Sequence, residues 1–269
     1  MSSAAAALLI VAPQLYGCAE QQSPAQKIAL ASTPAHVLKD LDDQVDSLQT
    51  PAVMEYTAPG RHFKAREQIV VRRPASLRVE AMSPLGVALV VAADGGQVAV
   101  FDPSKNTLMR GPATAATLDR FARIPMTPQR AVRLLLGLAP DSAMLAFSPI
   151  AANTEGELNL LSFAQPTGAV DDLGFIGGHL MLVRERSAAG QLLYEIHYSD
   201  YRNIGGVLDF PCQIEANFPT AGTTVKFRYE QPNVDGEIPD ATFVLSPGPS
   251  TKLIELSLWS SPTGAATPG

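Results

Sequence analysis

From residue 63 onward the chain alternates polar and apolar side chains in short runs, each closed by a turn signal. That pattern leaves room for little but an antiparallel sheet. Over 63–72, Phe63, Ala65, Ile69 and Val71 fall on one face of an extended strand, and Lys64, Arg66, Gln68 and Arg72 fall on the other. Runs of the same kind recur at 76–82, 87–92, 97–101 and 107–110. Between them stand Ser83-Pro84-Leu85-Gly86, Asp94-Gly95-Gly96 and the stretch Asp102 to Asn106, whose Pro, Gly, Asp and Asn residues suit turn dihedrals or hydrogen-bond locally. The spacing predicts a meander with one wet face.

Helical spacing interrupts this pattern twice. Thr33-Pro34 has the form of an N-cap and first helical residue, and Val37, Leu41, Val45 and Leu48 then share one face. In the middle, 112–122 reads as helix. Thr127-Pro128 then opens a second helix in which Val132, Leu135 and Leu136 share a face and Gly137 supplies the stop. Strand patterns return near 157–163, 179–186, 192–199, 206–217 and 223–230, with 253–259 as a closing strand. No linker or internal repeat divides the chain, so the expectation is one mainly β (α+β) domain over 34–259 and a disordered tail over 260–269.

With 269 residues, 46% of them hydrophobic, the chain can bury one large core. Its net charge of −6 offers no general attraction for a phosphate backbone, so nucleic acid is not expected as a partner. The apolar segment 2–18 reads as a signal peptide, 1–17, ending at Leu15-Tyr16-Gly17-Cys18. This ending resembles a bacterial lipobox, with Tyr16 where a small residue is usual, and the resemblance implies a lipid-bearing Cys18. The alternative is an ordinary signal peptide with a free thiol at its end. Residues 18–33 are small and polar and read as a tether. Cys212, the second of two cysteines, lies in an alternating run with no CxxC and reads as a buried structural thiol.

Catalytic groupings are not evident. His36, His62, His179 and His197 have no metal-ligand spacing, and there is no GxSxG, P-loop or dinucleotide fingerprint. His197 and its neighbours Tyr194, Tyr198, Asp200 and Tyr201 read as the solvent face of a strand. Asp42-Asp43 reads as a helix surface, Asp171-Asp172 as a loop, and the pairs Gly177-Gly178 and Gly205-Gly206 as turns. The expectation is a binding protein with no catalytic residue, no metal and no cofactor.

The stretches SPLGVALVVAADGGQVAVFDPSKNTLMRG (83–111) and FPCQIEANFPTAGTTVKFRYEQPNVDGEIPDATFVLSPGP (210–249), with the paired helices between them, resemble the LolA/LolB lipoprotein-sorting superfamily, most closely its LolB-like lipoproteins. The resemblance spans roughly 34–258. It implies an open, curved antiparallel half-barrel whose helices cover an apolar cavity. The implied role is to accept the acyl chains of lipoproteins or related lipids and insert them in the outer membrane. The protein would be lipid-anchored on the periplasmic face in a Gram-negative bacterium, a monomer, and served by a LolA-like periplasmic carrier. Within it Leu85, raised between Pro84 and Gly86, corresponds to a membrane-contacting loop, or else folds back on the sheet as a core residue. Leu118, Phe121, Val132, Leu135 and Leu136 are candidate lid residues, equally expected of plain core helices. Leu77, Val79 and Leu89 are candidates for the inner sheet face. Two rivals are an assembly lipoprotein that binds a protein partner with its cavity filled, and a sensor of a small hydrophobic molecule.

Overall fold

The computed structural model describes residues 39–40, 42–122, 124–205 and 208–255. Cys18 and the tether lie outside them. The first meander comprises β1 (Ser47–Ala58), β2 (Arg61–Arg72), β3 (Ser76–Ser83), β4 (Gly86–Asp94), β5 (Gln97–Asp102) and β6 (Thr107–Pro112), each antiparallel to the next. Helices α1 (Ala115–Ala122) and α2 (Pro128–Leu135) follow. A second meander then runs through β7 (Ala151–Glu155), β8 (Leu158–Ala164), β9 (Val170–Ile176), β10 (His179–Arg186), β11 (Leu192–Ile204), β12 (Leu208–Phe218) and β13 (Thr223–Tyr229).

The two meanders become one sheet where β13 pairs with β1, with Ala52 opposite Tyr229 and Tyr56 opposite Val225. The short β14 (Asn233–Val234) also pairs with β1, and β15 (Lys252–Glu255) returns parallel to β6 at the edge. β15 and β7 end the strand order without meeting. The result is an open half-barrel that is mainly β, with α1 and α2 on its concave side. Among the described residues no helix is long and apolar enough to cross a membrane.

Alternation builds the concave face: Ile69 and Val71 of β2, Leu77 of β3, Tyr194, Ile196 and Tyr198 of β11, and Phe210, Cys212 and Ile214 of β12 are all buried there. Each such side chain withdrawn from water contributes about 1.5–3 kcal/mol. Helix α2 begins as its sequence directs, with Thr127 Oγ1 accepting from Arg130 N at 3.3 Å and Pro128 at the first position. Gly137, at φ +71°, turns the chain away, and a Cβ there would lie 2.7 Å from Pro211 Cγ. The last carbonyls of α2, which have no partner within a helix, accept from the sheet: Tyr198 OH donates to Leu134 O at 2.9 Å and Tyr229 OH to Leu135 O at 3.0 Å.

The structure departs from the sequence expectation in several places. Helix occupies 39–40 and 42–44, but Leu48 belongs to β1, opposite Val71 and Val234. Leu48 is three residues from Val45 and two from Thr50, so it fits both a helical and a strand stripe; backbone pairing decides. Helix α1 starts at Ala115, because Pro112 still pairs with Gln97 and Thr114 Oγ1 receives Thr117 N. Asp171-Asp172 is not a loop. Both side chains are buried in β9, satisfied by Arg130, Gln165, Ser162 and Arg186. Tyr194 and Tyr198 face the core, while His197 and Glu195 between them lie on the opposite face, hydrogen-bonded to each other.

Candidate functional site: an apolar cavity under the helices

Between the concave face and the two helices lies a cavity of about 450 Å³. The sheet supplies Met54 and Tyr56 from β1, Leu77, Val79 and Ala81 from β3, Leu89 and Val91 from β4, and Ile214, Ala216, Phe218, Val225 and Phe227 from β12 and β13. The helical side supplies Leu118 and Arg120 of α1, Ile124, Met126, and Ala131, Leu134 and Leu135 of α2. Hydrocarbon dominates this lining. Arg61 and Arg120, both exposed at their residue level, are its two cationic members.

Of the residues picked out by sequence, Leu77, Val79, Leu89, Leu118 and Leu135 line this space. Val132 and Leu136 do not, which corrects their assignment as lid residues. They are completely buried in the core, and the face that α2 turns to the cavity is the adjoining stripe Ala131, Leu134 and Leu135. Phe121 stands in α1, but its side chain is outside the described set.

The Leu85 turn lies at the end of the β3–β4 hairpin. Ser83 and Gly86 pair across it, Leu85 N donates to Ser83 Oγ at 3.2 Å, and Gly86 takes φ +112°, which its missing Cβ permits. Leu85 is 100% exposed, so it does not fold back on the sheet. Met82, Val87, Leu89 and Phe63 are also exposed. Phe63 and Leu89 belong to the cavity lining as well, and so mark its open rim. Ala81 and Leu89, paired across the hairpin four residues to either side of Leu85, both line the cavity. Phe63 stacks on Tyr56 with ring centres 5.1 Å apart. One hairpin thus carries the exposed Leu85 at its tip and part of the cavity lining along its strands.

Glu67 was missed by the sequence reading. It lines the cavity from β2 and is only 4% exposed, with Oε2 lacking a hydrogen-bond partner among the described residues. Burial pushes its carboxyl up to about 7. Its signal in the sequence was parity: it falls in step with Phe63, Ala65 and Ile69, the apolar side of an alternating run.

Elsewhere the titratable groups are held structurally. Arg130 Nε donates to Tyr194 OH at 2.8 Å, and its guanidinium meets Asp171 at 2.5 Å and Glu185 at 3.5 Å. Burial pushes Asp171 up to about 6 even with Arg130 against it. The Cys212 thiol is buried and also pushed up, away from the thiolate that nucleophilic chemistry would need. Among the described residues no cluster of His, Cys, Asp or Glu is arranged to hold a metal ion.

No family model matches the chain, and no curated protein matches it in sequence. Solved structures do match its fold. A LolA superfamily protein from Nitrosomonas europaea is 15% identical with a TM-score of 0.50, the match covering 78% of this chain and 96% of that one. A putative outer membrane lipoprotein-sorting protein domain from Vibrio parahaemolyticus is 8% identical with a TM-score of 0.53, covering 80% and 97%. A DUF1329 family protein from Desulfovibrio piger is 13% identical with a TM-score of 0.53, covering 83% and 98%. With its half-barrel, its covering helices and its apolar cavity, the chain has the fold of the LolA superfamily.

Proposed function

We propose that this protein is a non-catalytic outer-membrane lipoprotein, anchored through Cys18, that takes acyl chains of lipoproteins or related lipids into its cavity and delivers them to the membrane. The observation that carries the reading is a hydrocarbon-lined cavity of about 450 Å³, part of whose lining comes from a hairpin that displays a fully exposed leucine at its tip. Its volume falls in the range of small-molecule sites, about 300–1,000 Å³. Each methylene moved from water into such a lining contributes about 0.8 kcal/mol, so acyl chains bind there without a covalent step. A cavity that is open rather than filled favours a carrier over an assembly scaffold of the same fold.

Leu85, with Pro84 and Gly86 shaping its turn, is the membrane-contacting element in this reading. Apolar surface displayed at the tip of a hairpin that also lines the cavity supports release at the bilayer. A LolA-like periplasmic carrier is the proposed donor. The first test is native mass spectrometry of a soluble form beginning at Ala19, offered palmitate and an acylated peptide. Bound acyl ligand is expected; a mass that stays that of the bare protein with both ligands removes the carrier reading. The second test uses Leu85→Glu, which should bind acylated peptide as the unaltered protein does and lose its transfer to vesicles. Undiminished transfer would refute the membrane role of the tip.

A further inference from the structure

Within that reading, Glu67 gives the cavity a chemical preference. It is the acidic residue of an otherwise almost wholly apolar lining, and its cross-strand partners are Ala52 on β1 and Ala81 on β3. Neither methyl can reach over the carboxyl or hydrogen-bond to it. Oε2 has no partner among the described residues, and a buried polar atom in that condition costs free energy that no contact in the protein returns. A plain hydrocarbon chain laid into the cavity would leave the carboxyl as it is.

We propose that the cavity is built for an amphiphile whose apolar body carries a hydroxyl group, and that Glu67 recognises that hydroxyl. A hydroxyl donates to a carboxylate and accepts from a protonated carboxyl, so it satisfies Glu67 in either state. An ammonium only donates and an ester only accepts, while an amide does both but from two separate atoms, whereas one hydroxyl oxygen serves both states. The cationic side chains of the same lining, Arg61 and Arg120, suit an acidic head at the rim. The ligand class is thus a hydroxylated long-chain acid or an acyl group derived from one. This rests on the carrier reading above, and it fails separately from it.

The experiment measures affinities of the purified protein for stearate, 3-hydroxystearate and 12-hydroxystearate by isothermal titration calorimetry. One hydroxylated isomer is expected to bind at least about tenfold tighter than stearate, equivalent to about 1.4 kcal/mol. Glu67→Gln, which keeps a donor and an acceptor, should retain the preference. Glu67→Leu and Glu67→Met should abolish it while tightening stearate, and with two apolar variants the comparison does not depend on one of them folding. A hydroxyl preference that survives in both apolar variants, or is missing from the unaltered protein while stearate binds, overturns the role of Glu67 and leaves the carrier reading standing. Failure of all three acids to bind the unaltered protein overturns both.

Discussion

Substituting Glu67 by glutamine should change how stability depends on pH. The carboxyl has an ordinary value of 4.5 and is pushed by burial to about 7 in the folded protein. A group raised in this way favours the fold fully below 4.5, where it is neutral both folded and unfolded, and withdraws that support as pH climbs through 7, where folding must bury a charge. A separation of about 2.5 between the two values, at about 1.4 kcal/mol each, amounts to about 3 kcal/mol. Urea unfolding at intervals from pH 4 to pH 8 provides the assay. Glu67→Gln and the unaltered protein should differ by a constant amount up to about pH 4.5. The variant should then gain steadily until it is about 3 kcal/mol better off, relative to that baseline, near pH 8. Asp171 titrates in the same direction, toward about 6, but does so in both proteins and cancels in the difference. Curves that remain parallel across the range would refute the argument, because they would mean that Glu67 reaches water or a partner in the folded state.

Asp171→Ala should cost about 3 kcal/mol in the same urea assay, because it strips the nearest counter-charge from the largely buried Arg130 guanidinium. Full stability in that variant would mean that Glu185, at 3.5 Å, suffices alone. Gly137→Ala should cost about 2 kcal/mol, since the residue adopts φ +71° and its new Cβ would press on Pro211 Cγ at 2.7 Å. A thermal midpoint unchanged from that of the unaltered protein would contradict this.

From β2 to β6 the first meander was legible because its turns are encoded where they occur, whereas β1 was not, its Leu48 having been read as part of a helical stripe. Asp94 Oδ1 accepts from Gly96 N and Gln97 N, Asp102 holds Ser104 N and Lys105 N, and Asn106 takes φ 45°. Each hairpin then follows from residues a few positions apart. β9 was not legible in the same way. Two adjacent carboxylates resemble surface until Arg130 and Arg186, distant in the chain, are brought against them. The join between β1 and β13 was hidden for a related reason. It pairs residues near 52 with residues near 229, and no local pattern carries a register of that length. The cavity face of α2 was only half legible. Val132, Leu134, Leu135 and Leu136 are all leucine or valine, and side-chain type does not say which stripe meets empty space.

What keeps that space from closing is visible in the polar contacts of α2. A helix with an apolar face above an apolar sheet gains about 25 cal/mol for every Å² it buries, so descent into the cavity would be favourable if nothing opposed it. Opposition comes at both ends. Near its start, Arg130 is held by Tyr194, Asp171 and Glu185, and at its finish the Leu134 and Leu135 carbonyls are held by the hydroxyls of Tyr198 and Tyr229. Sinking would break these buried bonds, at about 1–3 kcal/mol for each group left unpaired, although the Leu134 carbonyl would keep Gly137 N at 3.1 Å. These five contacts oppose on the order of 10 kcal/mol to the burial of up to a few hundred Å². The tyrosines thus act as rigid posts rising from the sheet, and the open cavity is a consequence of where their hydroxyls stop.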